Sequence, residues 1–273
     1  MLNKPKLLII GKHSFIANNL YLYLKNKIHV QKISYEKTQK LNNNFLCKFD
    51  YICNCSIKKE YVNKKYLVKN DLDSHLINKL KKLKITYIFL SSRKIYKPKA
   101  NIKETDITKP IDNYSRNKLI SEKKVRKLFK NRYLILRISN LIGKNKKTNR
   151  KVSNNFIDNY FKFRKKKIVY YENFFKDFLS IDQFNVIFFN IIKNNLKGIY
   201  NVSLGKKVYI DEILKSLNKS KNRNKFKKKK IMTDDSFYLN NKKLLKKIKI
   251  KIKKSDLLDY CYKMWSFIKL GLF

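Results

Sequence analysis

The sequence predicts an α/β fold in which a doubly wound parallel β-sheet is followed by a small C-terminal α/β lobe. In the first half, short apolar segments alternate with segments of helical periodicity, which is typical of βαβ units. The apolar segments are nearly continuous, as in ITYIFL at residues 85–90, and such strands belong in a sheet that helices cover on both faces. With 43% hydrophobic residues among 273, the chain can bury a substantial core.

The elements of the first half follow from these patterns in order. Apolar residues recur on one face of each helical segment, as at Ile16, Leu20 and Leu24. The predicted strands are residues 6–10, 28–33, 50–54, 85–90 and 133–138, and the predicted helices are 15–26, 71–83 and 113–130.

The pattern changes after Gly143, where the polar stretch 144–151 predicts a loop. Beyond it we predict helices at 152–163, 182–192, 211–217 and 255–268 and strands at 168–171, 177–180 and 198–202. The basic run KNRNKFKKKK at 221–230 predicts a solvated connection.

The strong positive charge makes nucleic-acid binding the first function class to consider. The chain has 67 Lys+Arg against 19 Asp+Glu, a formal net charge of +48, and basic side chains neutralise phosphates. However, lysine is spread along the whole chain and mixed with Asn, Ile, Tyr and Phe, while only 5 Gly and 3 Pro occur. The enriched residues share AT-rich codons, so genome bias explains the composition and we predict no specific nucleic-acid partner.

The sequence also bears on compartment and metal binding. No apolar run approaches the roughly 18 residues of a membrane span, and the first apolar run is shorter than a signal-peptide core. The four cysteines form no disulfide framework, and no His/Cys/Asp spacing indicates a metal site. We therefore expect a cytoplasmic protein without a transmembrane segment or a metal.

The segment LLIIGKHSFIANNL at residues 7–20 combines a strand, a turn and a helix start. Dinucleotide-binding turns need small residues where the backbone approaches the pyrophosphate and where the helix meets the strand. Gly11, Ser14 and Ala17 occupy those places, but alone they fit an ordinary strand-to-helix connection equally well. After the second strand, Ser34 stands where an NAD-selective site carries an acid, so NADP is a candidate cofactor beside NAD.

The strongest candidates for chemistry are Ser92, Tyr114 and Lys118. Ser92 follows an apolar strand, at the carboxyl end where α/β sites form. Tyr114 and Lys118 are four residues apart, so a helix places both on one face, where an ammonium favours the phenolate form of a phenol. The three groups can pass a proton to or from a carbinol oxygen while hydride moves to or from a nicotinamide.

These segments together resemble the extended short-chain dehydrogenase/reductases, in the NAD-dependent epimerase/dehydratase family that acts on nucleotide sugars. The resemblance covers nearly the whole chain, including FDYICNCS (49–56), YIFLSSRKIYK (87–97), YSRNK (114–118), ILRISNLIG (135–143) and GIYNVSLGKKV (198–208). It implies a Rossmann-type sheet, with Ser92 as the catalytic hydroxyl, Tyr114 as general acid/base and Lys118 as its activator. With Ser34, it gives these cofactor-lining residues: Gly11, Ser14, Phe15, Ile16, Cys55, Ser56, Asn70, Ser91, Arg137 and Asn140.

The resemblance also implies an organisation and partners. Residues 1–150, with a returning segment near 174–203, correspond to the dinucleotide-binding domain, and 151–273 mainly to the substrate-binding lobe. That lobe is similar to the reductase branch that forms deoxysugars such as rhamnose (dTDP-4-dehydrorhamnose reductase-like). We expect a nucleotide-sugar substrate whose diphosphate meets basic residues such as Lys176, and a homodimer through the helix that bears Tyr114.

Departures from the family pattern narrow the expected activity. Dehydratases carry an acidic pair directly after the catalytic hydroxyl residue, and here Arg93 and Lys94 stand there. Reduction of a keto-sugar, or epimerisation through one, remains, in surface polysaccharide or deoxysugar synthesis. Because Ser14 and Ala17 replace family glycines, a dinucleotide-binding module without turnover stays open as an alternative, and a basic nucleic-acid binder is a third.

Overall fold

The computed structural model describes residues 4–143, 168–218, 225–230 and 235–269. Contacts divide the chain into two compact units. The first comprises Met1–Lys97, Glu104–Ile138 and Phe188–Asn201, and the second comprises Pro98–Lys103, Ser139–Ile187 and Val202–Phe273. The domain boundary predicted near residue 150 and the helix predicted at 152–163 lie outside the described residues, and the assignment of domains to cofactor and substrate stays a prediction.

Twelve strands and ten α-helices occur in the described ranges. The strands are β1 (Lys6–Ile10), β2 (His29–Ile33), β3 (Tyr51–Asn54), β4 (Thr86–Ser92), β5 (Tyr133–Ile138), β6 (Asn140–Ile142), β7 (Ile168–Glu172), β8 (Phe175–Lys176), β9 (Phe178–Ser180), β10 (Gly198–Val202), β11 (Val208–Tyr209) and β12 (Lys225–Lys229). The helices are α1 (Phe15–Leu24), α2 (Tyr35–Lys40), α3 (Asn43–Leu46), α4 (Lys59–Asn63), α5 (Leu72–Leu80), α6 (Asn113–Phe129), α7 (Ile181–Lys193), α8 (Ile210–Asn218), α9 (Lys242–Ile248) and α10 (Lys254–Lys269).

The main sheet has six strands in the order β10-β5-β4-β3-β1-β2. The pairs β1–β2, β1–β3, β3–β4 and β4–β5 are all parallel, which confirms the predicted α/β class. The chain passes from β1 to β2 on one side and returns to β3 on the other. This reversal places a crevice at the carboxyl ends of β1 and β3, where ligands of doubly wound sheets bind.

The sheet is apolar because helices cover it. Leu7 to Ile10 of β1 are fully buried, as are Ile88 and Phe89 of β4. The apolar face of α5 packs with the end of α6 in one cluster, in which the rings of Tyr87 and Phe129 stack with centroids 5.4 Å apart. Burial of these side chains removes apolar surface from water and orders the strand ends that carry the candidate site.

The structure contains several short elements that were not predicted, among them α4, β6, β8, β11 and α9. Two short helices, α2 and α3, fill the connection from β2 to β3, and they begin at the side-chain caps Ser34 and Asn42. The basic run 221–230 was wrongly predicted as a connection throughout, because Lys225–Lys229 forms β12 and pairs in parallel with β7. The run's lysines are compatible with a strand because pairing uses the backbone, and Lys227 and Lys228 are exposed.

Two further findings hold for the part of the chain that the structure describes. None of its helices is both long and apolar enough to cross a membrane. It also contains no group of three or more His, Cys, Asp or Glu residues that could hold a metal ion.

Candidate active site

Gly11 is the point where the loops after β1 and β3 come together. Its N–H donates to Ile33 O at 2.8 Å, and Cys55 N–H donates to Ile10 O at 2.8 Å, so the ends of three strands are tied to one another. Gly11 has φ +122°, and a Cβ there would lie 3.0 Å from Ser56 Oγ and 3.2 Å from Cys55 C. Only glycine fits both the left-handed backbone and the close approach.

The N-terminus of α1 opens beside this turn. Ser14 is the N-cap residue, but its side chain makes no capping hydrogen bond, and Phe15 and Ile16 in the first turn are half-buried. Ala17 is fully buried, so the small side chain at the third motif position allows α1 to pack closely. A ten-residue helix with an uncapped N-terminus offers backbone N–H groups and a positive dipole end to an anion.

Ser34 follows the end of β2 and is the N-cap residue of α2. Its Oγ accepts from Lys37 N–H at 3.3 Å and caps α2. Backbone and Ser34 hydrogen bonds lower the pKa of the nearby Glu36 carboxyl. The Lys32 ammonium donates to Asn18 Oδ1 and lies 5.1 Å from the ring centroid of Tyr21.

Two contacts hold the start of α6 against the end of β4. Before Ser92, Leu90 O accepts a 2.8 Å hydrogen bond from Lys118 Nζ. After Ser92, Lys94 Nζ forms a 2.9 Å ion pair with Asp112 Oδ2, and Asp112 is the N-cap of α6. The structure therefore brings together the strand end that carries Ser92 and the helix that carries Tyr114 and Lys118.

Asp112 supports this arrangement, although the sequence analysis missed it. Its Oδ1 accepts from Ser115 N–H at 2.7 Å, and Ser115 Oγ accepts from Asp112 N–H at 3.1 Å, which forms a capping box. Burial works against ionisation of Asp112, but the capping hydrogen bonds from Ser115 and the Lys94 ion pair together outweigh burial and lower the pKa of Asp112 to about 2. The signal was present in the sequence, since Asp is one of the residues favoured at the N-cap of a helix.

The catalytic candidates differ in exposure. Lys118 is 7% exposed, and its ammonium lies 4.7 Å from the ring centroid of Phe89 and 5.7 Å from that of Tyr61. Tyr114 lies in the first turn of α6 and is half-buried. Ser92 is also half-buried, and its Oγ accepts from Lys94 N–H at 3.2 Å. The hydroxyl proton of Ser92 and the phenol of Tyr114 are thus available to a ligand.

Ser91 and Arg137, which the resemblance placed at the cofactor, lie in a group that we call the Arg137 cluster (Ser91, Tyr96, Glu104, Glu122 and Arg137). Glu104 is half-buried and the other four residues are buried. The place of Ser91 and Arg137 at the cofactor stays a prediction. Ser91 Oγ donates to Glu122 Oε2 at 2.9 Å. Arg137 forms an ion pair with Glu122 and donates to Tyr96 Oη at 2.5 Å and to Glu104 O at 2.9 Å. Burial works against the charge, but the bonds and charge of Glu122 raise the pKa of Arg137, and burial raises the pKa of Tyr96 to about 12.

The remaining predicted residues lie in different places. Asn70 is buried at the end of a 3₁₀ turn before α5, and Cys55 is half-buried with its Sγ 3.9 Å from Cys53 Sγ. Asn140 begins β6 and belongs to the second unit. In that unit Lys176 Nζ already forms a 2.7 Å ion pair with Asp235.

Comparisons with known proteins give the following relations. The model of the NAD dependent epimerase/dehydratase family matches residues 7–203. No curated protein matches the chain. UDP-glucose-4-epimerase from Stenotrophomonas maltophila, with bound NAD and formylated UDP-arabinopyranose, is similar in structure with a TM-score of 0.79 at 13% identity, over 98% of each chain.

Two further solved structures show the same fold. UDP-N-acetylglucosamine 4-epimerase from Methanobrevibacter ruminantium, in complex with UDP-N-acetylmuramic acid, has a TM-score of 0.76 at 19% identity, over 98% of this chain and 100% of that one. RMD from Pseudomonas aeruginosa, complexed with NADPH, has a TM-score of 0.73 at 16% identity, over 96% and 97%. Since the family model spans most of the sequence, the chain belongs to the NAD dependent epimerase/dehydratase family.

Proposed function

We propose that this chain binds NAD or NADP and epimerises or reduces the sugar of a nucleotide sugar. The observation that carries the proposal is the pair of contacts on either side of Ser92, which hold Tyr114 and Lys118 at the carboxyl end of β4. Family membership supports the cofactor, and the similar structures contain NAD, NADPH or UDP-sugars. We further propose a role in polysaccharide or deoxysugar synthesis.

The residues around Gly11 fit a dinucleotide. The close approach of Gly11 to Ser56 leaves a turn without a side chain, and the uncapped N-terminus of α1 follows it at Ser14. These are the two features that a pyrophosphate needs, because its oxygens accept from backbone N–H groups. When bound, the nicotinamide accepts or returns a hydride at the sugar carbon.

The chain's own groups handle the proton. We infer that the Tyr114 hydroxyl gives a proton to, or takes one from, the sugar oxygen, while Ser92 hydrogen-bonds the same oxygen. The Lys118 ammonium, which is held in place by Leu90 O, favours the phenolate through its charge. Its burial strengthens that effect, because water does not screen the charge.

Dehydration is the family reaction that the site fits least. It needs an acid directly after the catalytic hydroxyl residue, and here Arg93 is buried while Lys94 is paired with Asp112. Because neither side chain is a carboxyl group that could assist elimination of water, epimerisation and reduction remain as the proposed reactions.

Tyr114→Phe tests the proposal. We expect turnover to fall by about 10²- to 10⁴-fold, the usual contribution of a general acid/base, while NADH and NADPH bind as in the wild type. The assay supplies a panel of nucleotide sugars and their 4-keto forms. Oxidation of the reduced cofactor identifies a reductase, and isomerised product without net oxidation identifies an epimerase. Substantial activity in the variant would refute the role of Tyr114.

A dinucleotide-binding module without turnover is the second candidate. Serine and alanine at the second and third glycine positions favour it, since both add atoms near the pyrophosphate. Under this alternative the wild type binds cofactor but turns over no sugar in the panel, and Tyr114→Phe changes nothing.

A further inference from the structure

Asp73 is a buried carboxylate that the proposed reaction does not use. It is the second residue of α5 and is 6% exposed. Its Oδ1 accepts from Tyr87 Oη at 2.6 Å and from Asn54 Nδ2 at 3.1 Å. A carboxylate that is removed from water costs free energy unless hydrogen bonds or an opposite charge compensate for the lost hydration.

One side of Asp73 leads to the loop at Gly11. The Asn54 amide that donates to Asp73 also accepts from Ser56 N–H at 2.9 Å and donates to Ser56 O at 3.2 Å. Because a carboxylate only accepts, Asp73 holds the Nδ2 end of the Asn54 amide toward itself and leaves Oδ1 to accept from Ser56 N–H. Ser56 is the residue that a Cβ on Gly11 would strike.

The other side of Asp73 leads to Lys118. Tyr87 and Phe89 are alternate residues on one face of β4, about 6.6 Å apart along the strand. Tyr87 bonds Asp73, and Phe89 lies under the Lys118 ammonium. Burial raises the pKa of Asp73, and the charge of Lys118 is the largest influence that lowers it. The hydrogen bond of Lys118 goes to Leu90 O, so the two charges act on each other through space.

On the basis of the function proposed above, we propose that Asp73 is a positioning residue that couples the Lys118 ammonium to the cofactor loop at Ser56. Its negative charge attracts the Lys118 ammonium through space and stabilises that ammonium in its buried position. Its hydrogen bond from Asn54, which in turn bonds Ser56, holds the Ser56 loop against Gly11. The groups that act on Asp73 or respond to its charge are Tyr35, Cys53, Asn54, Tyr61, Tyr66, Asp71, Tyr87 and Lys118.

Two substitutions of Asp73 separate its charge interaction with Lys118 from its hydrogen bond with Asn54. Asp73→Asn removes the charge but keeps an oxygen for Tyr87 and Asn54. We expect the alkaline limb of the kcat/KM profile to move to lower pH by about one unit, with cofactor Kd changed less than about threefold. Asp73→Leu removes both the charge and the hydrogen bond with Asn54, so the cofactor Kd should also rise about tenfold. At acidic pH, where Asp73 is protonated, wild type and Asp73→Asn should converge.

Tyr87→Phe is the matched control, since it removes the other hydrogen bond to Asp73 and leaves the charge and Asn54 in place. It should leave the alkaline limb within about 0.3 unit of the wild type. If Asp73 had only a structural role, the Asp73 and Tyr87 variants would all lose thermal stability, and the pH dependence of kcat/KM would not move. An unmoved alkaline limb in folded Asp73→Asn would overturn the proposal.

A measurement without turnover keeps the inference separate from the proposed reaction. The Asp73 carboxyl carbon is titrated by ¹³C NMR in wild-type protein and in Lys118→Met. We expect the midpoint to rise by about one unit in Lys118→Met, because the stabilising charge is gone. An unchanged midpoint refutes the coupling even if Asp73→Asn fails to fold. A shifted midpoint in a protein that converts no sugar supports the coupling and counts against the proposed reaction alone.

Discussion

Ser91 and Ser92 are neighbours on β4, yet their hydroxyls differ in burial and in hydrogen bonding. Ser91 is 4% exposed and donates to Glu122 in the Arg137 cluster, whereas Ser92 is half-buried and only accepts from Lys94 N–H. Adjacent strand residues point to opposite sides, so one strand end carries a closed polar cluster and an open site. Polar groups with protein partners stabilise the fold, and those with spare hydrogen-bonding capacity are the ones that can bind ligand.

The largest effect should come from breaking the closed cluster. Glu122 and Arg137 have side chains that are 1% and 4% exposed, so Glu122→Gln leaves a buried cation without its counter-charge. We expect the free energy of unfolding to fall by about 3–5 kcal/mol in guanidinium titrations. The double variant Glu122→Leu/Arg137→Met should be clearly more stable than Glu122→Gln. If Glu122→Gln costs less than about 1 kcal/mol, the cluster is not the closed unit described above.

Asp177 is another buried acid, and unlike Glu122 it has no cationic partner in the described part of the chain. It accepts from the backbone N–H groups of Leu204, Gly205 and Leu239 at 2.9–3.1 Å. Burial raises its pKa to about 7 although these bonds oppose the shift. Between about pH 4 and 7 the folded chain therefore holds a proton at this site that the unfolded chain has lost.

The stability that Asp177 contributes is thus present at low pH and is lost as the pH rises through 7. We expect its contribution to the free energy of unfolding to fall by roughly 1 kcal/mol per pH unit in that window. Asp177→Asn, which does not titrate, is the reference, and the free energy of unfolding of the wild type should fall relative to that of the variant between pH 5 and 7. Parallel stability curves for the two proteins would show that Asp177 stays ionised in the fold.

The same contrast explains what could be predicted from the sequence. The bounds of β1, β5 and β10 were predicted to the residue, because buried parallel strands leave continuous apolar runs. The spacing of Tyr114 and Lys118 is likewise local. The burial of Glu122 and Asp73 was not predictable in this way, because a charged residue within a helical segment normally marks a solvated face. Their partners come from other elements, and only the tertiary fold brings them together.

Gly11→Ala should have an intermediate effect and probes the open site. The residue has φ +122°, so an alanine is strained by about 1–3 kcal/mol, and its Cβ crowds Ser56 and Cys55. Gly198→Ala is the matched control, since Gly198 has φ +102° but nothing within 4 Å of the added Cβ. Both variants should lose stability through the backbone strain, and Gly11→Ala should lose more because its Cβ also meets Ser56 and Cys55. Only Gly11→Ala should weaken NADH and NADPH binding. Equal cofactor Kd values would place the dinucleotide elsewhere.

The smallest effects are expected from the two serines themselves, and they test the comparison directly. Ser92→Ala should lower kcat/KM by about 10- to 100-fold, the value of one hydrogen bond to a developing charge, with little change in thermal stability. Ser91→Ala should cost about 1 kcal/mol of stability, since Glu122 loses a donor but keeps Arg137, and should change kcat/KM less than about threefold. Measurement of both quantities on both variants decides the matter, because an exchange of the two outcomes would mean that the closed side of β4 faces the substrate.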